Sequence, residues 1–451
     1  MPVDPARYRP EPHFQELGAE FADPVAAADF PETILRYRND RAAASVGLAG
    51  LTDAEWTRHF GRFEPLPGNL QTPLAQRYHG HQFRVYNPEL GDGRGFTFAQ
   101  MREAGTGRLL ELGTKGSGQT PWSRTADGRL TLKGGVREVL ATAMLEAQGV
   151  PTSRSLSLIE TGEALTRGDE PSPTRASVLV RLSWSHIRFG SFQRHAFFEQ
   201  PERIARLIDH VIAHYYPELE GANDRPAALL TAVTGRAARL VARWMAAGFV
   251  HGVLNTDNMN ITGESFDYGP YRFLPRNDPN FVAAYFDHAG LYSFGRQPEA
   301  VFWNLQQLGG CFTLVTESEP LVEALNTFAG AYRRELTAAM LERLGLAPRT
   351  PDEDVDLVNA AFQALAAGGE PLRWEPFFFD WFCKGEARAL AGPRAEIYGG
   401  EGFAAFRRLL AAYEPERPER LDHPYFTRSE PEELLYDEIE ALWAPIAAAD
   451  D

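Results

Sequence analysis

A polar segment in the second half of the chain, residues 251–261, limits the possible folds more than any other feature of the sequence. It reads His-Gly-Val-Leu-Asn-Thr-Asp-Asn-Met-Asn-Ile and contains the adjacent side chains Asp257 and Asn258. Asp267 follows nine positions after Asn258, at the start of an Asp-Tyr-Gly triplet. A loop between two short buried strands would bring these three side chains to one point, where hard oxygen ligands suit Mg²⁺ or Mn²⁺ bound together with phosphates. The segment therefore predicts a metal site, with phosphate-binding groups supplied from elsewhere in the chain.

The part of the chain before this segment predicts strands with one helix among them. Residues 96–101 and 109–112 have strand patterns, and residues 104–107 between them are typical of a hairpin turn. Residues 134–148 predict a helix, because apolar side chains repeat at helical spacing until a Gly-Val-Pro sequence ends the repeat. Shorter strands are predicted after this helix, at residues 156–160 and 178–182.

Lys115 and Glu138 are candidates for a phosphate-binding lysine and its glutamate partner. Lys115 follows the second strand, and Glu138 lies in the first turns of the helix, 23 positions later. In protein kinases, a strand lysine binds the nucleotide phosphates and pairs with a helix glutamate. A surface lysine and a solvated glutamate would give the same local pattern. The order of strand lysine, helix glutamate and metal loop favours the phosphate-binding interpretation.

Gly91, Gly93 and Arg94 belong to a Gly-Asp-Gly-Arg-Gly run ahead of the first strand. Glycine backbone N–H groups can approach a phosphate closely, and an arginine adds a bidentate donor. The same run is also ordinary turn chemistry. On the pattern alone, both interpretations stay open.

Two arginines and a turn complete the candidate residues of this region. Arg181 alternates with apolar neighbours, so it faces the opposite side of its predicted strand. With Arg188 it would bring two guanidinium groups to phosphates, although surface salt bridges are the alternative. Asp127 and Gly128 form a dipeptide that predicts a β-turn and, by pattern alone, nothing more.

The remainder of the chain is predicted to be mainly helical. Helical repeats run over residues 204–215 and 229–245, and the second ends at Gly248, directly before the polar segment. A strand-rich part, a helical part and a polar loop in this order predict an α+β protein with a bilobal protein-kinase-like fold and extensions at both ends. The predicted domains are an N-terminal extension packed on the core (1–75), an N-lobe carrying the lysine and the glutamate helix (76–183), and a helical C-lobe carrying the catalytic and metal-binding loop (184–451).

The polar loop departs from the kinase pattern at one position. His251, Asn258 and Asp267 follow the order of the kinase His-Arg-Asp, Asn and Asp-Phe-Gly residues. Two positions after the histidine, where a kinase carries its catalytic aspartate, this chain has Val253. The nearby carboxylate is Asp257. An Asn/Asp-rich turn without catalytic function is the alternative, but its flanking sequences favour a site.

Charge and cysteine content narrow the class of protein. The formal net charge is −16, which argues against a general nucleic-acid or anionic-membrane partner. The two cysteines, Cys311 and Cys383, support neither a disulfide framework nor a cysteine zinc site. No signal-peptide pattern and no run of about 18 apolar residues occurs, so we expect a cytoplasmic protein that does not span a membrane.

Taken together, these motifs resemble the selenoprotein O family, also called YdiU. The resemblance extends from about Tyr78 to Pro298. Its most specific part is the block of residues 251–261. The other matching stretches are residues 91–95, 111–121, 137–138 and 267–270.

The resemblance implies a pseudokinase-like fold that binds ATP in a flipped orientation and transfers AMP to Ser, Thr or Tyr hydroxyls of protein substrates. It implies that Lys115 holds the nucleotide phosphates with Glu138 as its partner. It further implies that Asp257 is the catalytic base, and that Asn258 and Asp267 bind Mg²⁺ or Mn²⁺, with Asp267 also at the nucleotide. The nucleotide site would be lined by Gly91, Gly93, Arg94, Asp127, Gly128, Arg181 and Arg188.

Three alternative functions stay open at this point. One is transfer of UMP from UTP by the same chemistry. Another is a kinase-like phosphotransferase in which Asp257 is a displaced base. The third is an inactive pseudokinase that binds a nucleotide without reaction. The motifs alone do not choose the nucleotide or the metal.

Overall fold

The structure is a computed structural model that describes residues 3–168 and 171–448. The outer ends of the first and third predicted domains lie outside the described residues. The strands are β1 (Ala22–Pro24), β2 (Ile34–Arg38), β3 (Leu74–Gln76), β4 (Gly80–Gln82), β5 (Val85–Asn87), β6 (Thr97–Arg102), β7 (Leu109–Lys115), β8 (Leu130–Thr131), β9 (Arg154–Leu165), β10 (Thr174–Ser183), β11 (Phe249–Val250) and β12 (Arg272–Phe273). The α-helices are α1 (Asp40–Ser45), α2 (Asp53–Phe60), α3 (Leu132–Ala147), α4 (Phe189–Phe197), α5 (Pro201–Tyr215), α6 (Arg225–Ala247), α7 (Gln297–Phe312), α8 (Ser318–Asn326), α9 (Phe328–Leu344), α10 (Pro351–Gly368), α11 (Trp374–Trp381), α12 (Glu386–Ala391), α13 (Ala395–Gly399), α14 (Ala404–Leu410) and α15 (Tyr436–Ala448).

One antiparallel sheet dominates the first part of the described chain. Its order is β1-β3-β6-β7-β10-β9-β2, and β8 pairs with β10 beside this path. The central pair β7 and β10 is buried along nearly its whole length, with Leu112 opposite Leu182 and Lys115 opposite Leu179. Both edge strands, β1 and β2, come from the predicted N-terminal extension. That segment is therefore part of the sheet as well as packed around it.

Strands β9 and β10 run further than the sequence pattern indicated. Their extra residues are largely polar, which hides the strand from a hydrophobicity pattern. Buried polar side chains on β9 find partners inside the fold: the Trp56 indole donates to Ser157 Oγ (2.8 Å), and the Thr142 hydroxyl donates to Ser155 Oγ (3.0 Å). These two buried polar groups of the strand are therefore satisfied.

Helix α3 packs against β9 and β10 and begins two residues before its predicted start. Thr131 caps its N-terminus by accepting a hydrogen bond from the Gly134 backbone N–H (3.1 Å). Gly135 allows the close contact with the sheet, since a Cβ there would lie 2.4 Å from Leu158 Cδ1. This approach directs the buried side chain of Glu138 toward the sheet.

The second part of the described chain is helical and is built around α6. Leu230, Val233 and Trp244 of this helix are buried in the main hydrophobic cluster. The helix ends at Gly248, which adopts a left-handed conformation (φ 63°). The chain then enters β11, which pairs with β12, and residues 251–271 form the loop between them. The predicted loop between two short strands is therefore present.

The α+β class, with an antiparallel strand-rich first part and a helical second part, is confirmed and fits a kinase-like fold. The described residues contain no helix that is long and apolar enough to cross a membrane. The domain boundaries at residues 75 and 183 stay a prediction.

Candidate active site

A cavity of about 610 Å³ lies between the sheet and the loop that follows β11. This volume is within the usual range of small-molecule sites, roughly 300–1,000 Å³. Ten of the residues predicted to bind or react with a nucleotide line it: Gly91, Gly93, Arg94, Lys115, Asp127, Gly128, Arg181, Arg188, Asp257 and Asp267. Two predicted residues, Glu138 and Asn258, are not among the lining residues.

Lys115 is the last residue of β7 and is buried, with 4% of its surface exposed. Its Nζ forms an ion pair with Glu138 of α3 and a second one with Asp267 Oδ1 (2.7 Å). Glu138 therefore contacts the cavity only through the lysine. An ammonium held between two carboxylates has little freedom to move, so the lysine is fixed at the cavity wall.

Asp267 links the lysine to an arginine of the sheet. Its Oδ1 lies 2.7 Å from Lys115 Nζ and 3.4 Å from Arg181 Nη1. Burial opposes the charged carboxylate, but Lys115, Arg181 and Arg94 prevail and hold the pKa of Asp267 well below its ordinary value. The residue has φ 66°, a conformation that is uncommon outside glycine and is often found at functional sites. Asp267 is therefore ionised at the cavity, with both ion pairs on one oxygen.

The pKa of Asp257 is shifted in the opposite direction from that of Asp267. It lies in a short 3-10 turn, Thr256–Asn258, and only 9% of its surface is exposed. Its Oδ1 is buried and has no hydrogen-bond partner among the described residues. Burial raises its pKa to about 7, although its own backbone N–H and Arg188 act in the opposite direction. A carboxyl group with this pKa can gain and lose a proton near neutral pH.

Asn258 follows directly in the same turn. Its Nδ2 donates to the Val253 carbonyl (2.9 Å), which closes the loop on itself. Its side-chain oxygen accepts no hydrogen bond from the described residues. Asn258 therefore lies beside Asp257, but the structure does not place it on the cavity wall.

The hairpin β4–β5 supports this loop from outside. The His81 backbone N–H donates to Thr256 Oγ1 (2.7 Å), and the Phe83 backbone N–H donates to Asn255 Oδ1 (3.0 Å). Gly80 lies so close to the loop that a Cβ there would be 2.9 Å from Asp257 Oδ1. The hairpin therefore fixes the position of the turn that carries Asp257.

His251 links the start of the polar loop to the residue that precedes Asp267. Its buried ring donates from Nε2 to the Phe266 carbonyl (3.1 Å), directly before Asp267. Burial lowers the pKa of the ring, so the neutral form is favoured. This histidine therefore has a structural role, holding the Asp267 backbone against the start of the polar loop.

The glycine-rich run lines the cavity and packs against Trp122. A Cβ on Gly91 would lie 2.4 Å from Trp122 Cγ, and one on Gly93 would lie 3.0 Å from the Trp122 carbonyl oxygen. The Thr120 hydroxyl donates to the Asp92 carbonyl (2.5 Å), which ties the two loops together. These glycines are therefore required by loop packing, whatever the run also binds.

Asp92 is a residue of this site that the sequence interpretation missed. Its Oδ1 lies 3.1 Å from Arg188 Nη1, and its Oδ2 accepts from the Gln76 backbone N–H (3.2 Å). Arg188 also stacks over the ring of Tyr78, 4.4 Å from its centroid. Burial opposes the charge on Arg188, but Tyr78 and Asp92 raise its pKa above the ordinary value. The aspartate inside the Gly-Asp-Gly run thus positions a buried, charged arginine.

Asp127 and Gly128 lie at the opposite rim of the cavity. The Asp127 carboxylate accepts from both terminal nitrogens of Arg167 (2.6 and 3.0 Å), a bidentate pair between two loops. Gly128 has φ 70°, and a Cβ there would lie 2.3 Å from the backbone of Gly118. Other lining residues that the sequence did not predict include Tyr78, Gln82, Trp122, Ser123, Arg124, Arg129 and Arg167. Their positions depend on loops meeting across the fold and leave no local signal.

The fold and the site define a kinase-like protein whose cavity combines four aspartates with a strand lysine and several arginines. Comparison with known proteins gives the family. The family model described as "Protein adenylyltransferase SelO" matches residues 6–384. This chain therefore belongs to the SelO family, and it is a protein nucleotidyltransferase.

Similar curated proteins extend over nearly the whole chain. A protein named "Protein nucleotidyltransferase YdiU" from Gloeobacter violaceus is 46% identical over 453 residues, covering 98% of this chain and 92% of its own length. A protein of the same name from Trichodesmium erythraeum is 43% identical, covering 98% and 95%. One from Synechocystis sp. is 54% identical over 366 residues, covering 79% and 76%. The resemblance inferred from the sequence is confirmed.

Proposed function

We propose that this protein transfers AMP from ATP to Ser, Thr or Tyr hydroxyls of protein substrates and releases pyrophosphate. One observation carries the proposal: Asp257, whose pKa burial raises to about 7, lines a cavity that also contains Lys115, Arg181 and Arg188. Val253 occupies the position of the usual kinase base. A base displaced to Asp257 and the description of the matching family both support nucleotidyl transfer.

The proposed metal site consists of Asp267 and Asn258, and the residues fit Mg²⁺ or Mn²⁺. Both ion pairs of Asp267 use Oδ1, which leaves Oδ2 available, and the side-chain oxygen of Asn258 accepts no hydrogen bond from the described residues. Carboxylate and amide oxygens are the ligands these ions prefer. When bound, such an ion would neutralise phosphate charge and help to orient the nucleotide.

In the proposed reaction, Asp257 accepts the proton of the attacking hydroxyl. The hydroxyl oxygen forms a bond to the α-phosphorus, the bond from that phosphorus to the β-phosphate bridging oxygen breaks, and pyrophosphate leaves with the bonding electrons. A base whose pKa is about 7 takes up a proton efficiently near neutral pH. Asp257 therefore needs no histidine partner to act as the base.

Lys115, Arg181 and Arg188 would stabilise the negative charge that develops on the phosphates. Their positions are fixed before any ligand binds: Lys115 by Glu138, Arg181 by Asp267, and Arg188 by Asp92. Cations fixed in this way need little reorganisation during the reaction, which is a principal source of catalysis in phosphoryl-type transfer.

ATP labelled at either the α- or the γ-phosphate tests this proposal. The purified protein is incubated with a bacterial lysate, each labelled ATP, and Mg²⁺ or Mn²⁺, and proteins are separated by gel electrophoresis. We expect protein-bound label from α-labelled ATP only, and none with Asp267→Ala. Label from the γ-position alone would indicate a kinase, and no label from either would indicate an inactive nucleotide-binding protein. A parallel reaction with α-labelled UTP separates AMP transfer from UMP transfer, because a stronger signal from UTP would contradict the nucleotide proposed.

A further inference from the structure

Two histidines and a glutamate meet where the N-terminal segment crosses helix α5. His13 directly precedes a 3-10 turn, Phe14–Leu17, Glu16 lies within that turn, and His214 lies in the last turn of α5. One potential ligand atom from each of these three side chains lies within 4.8 Å of the other two. None of the three lines the cavity of the candidate active site. The cluster is therefore a separate feature of the molecule.

The ring of His13 lies between two carboxylates. Its Nδ1 lies 3.0 Å from Glu16 Oε1, while its Nε2 lies 3.2 Å from Glu11 Oε2. Arg102 donates to the same Glu11 oxygen (2.7 Å) and fixes that carboxylate. Metal-binding histidines commonly donate their second N–H to a carboxylate, which sets the tautomer and the ring orientation. Glu11 thus orients His13 with Nδ1 toward Glu16.

Helix α5 contributes its histidines with a spacing of four residues. His210 and His214 lie on one helix face, with ring centroids 4.6 Å apart, and His214 stacks on His13 at 4.1 Å. His210 is 8% exposed, and its Nε2 has no hydrogen-bond partner among the described residues. A buried ring nitrogen without a hydrogen-bond partner among the described residues therefore lies on the ring next to His214.

We propose that His13, Glu16 and His214 bind one zinc-class transition-metal ion that joins the N-terminal segment to helix α5. Imidazole and carboxylate ligands suit Zn²⁺, whereas the all-oxygen set proposed at the active site suits Mg²⁺ or Mn²⁺. Tetrahedral zinc with ligands at about 2.0–2.2 Å separates its ligand atoms by about 3.3 Å. The ligand atoms lie within 4.8 Å of one another, so metal binding requires the exposed Glu16 to move closer and one imidazole to rotate out of the His13–His214 stack.

A metal ion bound at this cluster would link the N-terminal segment to helix α5. The turn that follows His13 is already held by the Phe14 backbone N–H, which donates to Gln100 Oε1 (2.7 Å), and Gln100 Nε2 donates to the buried carboxylate of Glu111 (3.0 Å). A metal at His13 would add a link from this turn to α5, in the helical part of the chain. Metal binding would therefore stabilise the docking of the N-terminal segment.

Zinc content and Co²⁺ spectroscopy of the full-length protein test the proposal. Chelator-treated protein is incubated with Zn²⁺ alone, passed through a desalting column and analysed by mass spectrometry of the metal. We expect one Zn²⁺ per chain, and visible absorption bands of a four-coordinate site when Co²⁺ replaces it. His214→Ala and Glu16→Gln should lose the retained metal, and Glu11→Gln should weaken binding by about 10–100-fold.

Two controls separate this site from others and from unfolding. His423→Ala removes an exposed histidine elsewhere, and Asp267→Asn removes the proposed active-site ligand; both should retain one Zn²⁺. Glu16→Gln changes a largely exposed side chain, so its metal-free form should unfold at the same denaturant concentration as metal-free wild type. Loss of the metal from this variant would therefore not be caused by unfolding. The proposal is overturned if wild type retains no Zn²⁺, or if Glu16→Gln and His214→Ala retain it as wild type does. In either case the cluster is an ionic pairing of His13 with its two glutamates.

Discussion

At the scale of single residues, the pKa values of two carboxyl groups in one cavity are shifted in opposite directions. Asp267 contacts Lys115 and Arg181, and these cations keep it ionised despite burial. Asp257 lies nearby in a buried turn without an ion pair on Oδ1, and burial raises its pKa to about 7. Environments that separate the pKa values of paired acids are the usual way in which a site assigns different roles to the same functional group.

Asp257→Asn should abolish most of the transferase activity and leave nucleotide binding in place. Loss of a general base typically costs about 10²–10⁴-fold in rate. In the wild-type enzyme, kcat/KM should rise with pH up to about 7 and level off above it, since the base must be deprotonated. Initial rates from pH 5 to 9 measure this limb, and nucleotide titration of the variant checks binding. A flat profile, or a variant within threefold of wild type, would refute the role of base.

The same substitution should stabilise the fold at alkaline pH. The unfolded carboxyl has a pKa of about 3.9, so between pH 4 and pH 7 the folded state holds a proton that the unfolded state has lost. Wild-type stability therefore falls as pH rises through this window, and asparagine removes the effect. We expect Asp257→Asn to raise the free energy of unfolding at pH 8 by on the order of 2–4 kcal/mol, with little change at pH 4.

Denaturant unfolding at the two pH values measures this difference. Asp422→Asn is the matched control, because Asp422 is an exposed aspartate far along the chain and its loss should change stability equally little at both pH values. Equal effects of Asp257→Asn at pH 4 and pH 8 would contradict the buried, protonated state assigned to Asp257.

At the scale of elements, the glycine-rich run lines the cavity, and helix α3 supports it from behind through the strand lysine. The run is held against Trp122, and the helix supplies Glu138 to the strand lysine. For each element the chain offers a residue of the same type that lacks these contacts, Gly105 for the run and Glu146 for the helix, so each can be tested by a matched pair of substitutions.

Gly91→Ala should destabilise the protein, and Gly105→Ala should not. A Cβ at Gly91 would enter the ring of Trp122 at 2.4 Å, whereas nothing lies within 4 Å of the same position at Gly105 in the hairpin turn. Overpacking of this kind costs about 1–3 kcal/mol. Thermal unfolding of both variants measures the difference. Equal stability would mean that the Trp122 loop moves aside freely.

Glu138→Gln should lower kcat/KM by about 10–100-fold, because a misplaced catalytic cation loses its alignment with the reacting groups. Glu138 is buried and pairs with Lys115, whereas Glu146 on the same helix pairs with the exposed Arg41. Glu146→Gln should therefore keep wild-type activity. Comparable losses in both variants would show that the helix, rather than the ion pair, controls activity.

The residues that could be predicted from the sequence are those whose role follows from their order along the chain. The strand lysine, the helix glutamate and the polar loop were recognisable because a kinase-like fold arranges them in that succession. Asp92 was not found, since a Gly-Asp-Gly run is typical of a turn and its partner Arg188 is distant in the chain. Strand β2 was also missed. Its residues are half-buried and include two arginines, so it has no strand pattern until it pairs with β9.

At the scale of the whole molecule, the site exists only where distant parts of the chain meet. Lys115 belongs to the sheet, Glu138 to the helix on that sheet, and Asp257 and Asp267 to the loop after α6. The hairpin β4–β5 adds a support for the loop through Thr256. The family relation extends over the same span of the chain, residues 6–384. The cavity is therefore a property of the complete fold, and its chemistry depends on how a nucleotide lies across it.

A crystal structure with a non-hydrolysable ATP analogue and Mn²⁺ tests the central proposal most directly. Transfer of AMP requires the α-phosphate to lie beside Asp257, with the β- and γ-phosphates directed toward the cationic wall of Lys115, Arg181 and Arg188. We predict that Asp257 is the carboxylate closest to the open face of the α-phosphorus. A γ-phosphate beside Asp257, with the α-phosphate remote from it, would contradict the proposal and identify the site as that of a kinase.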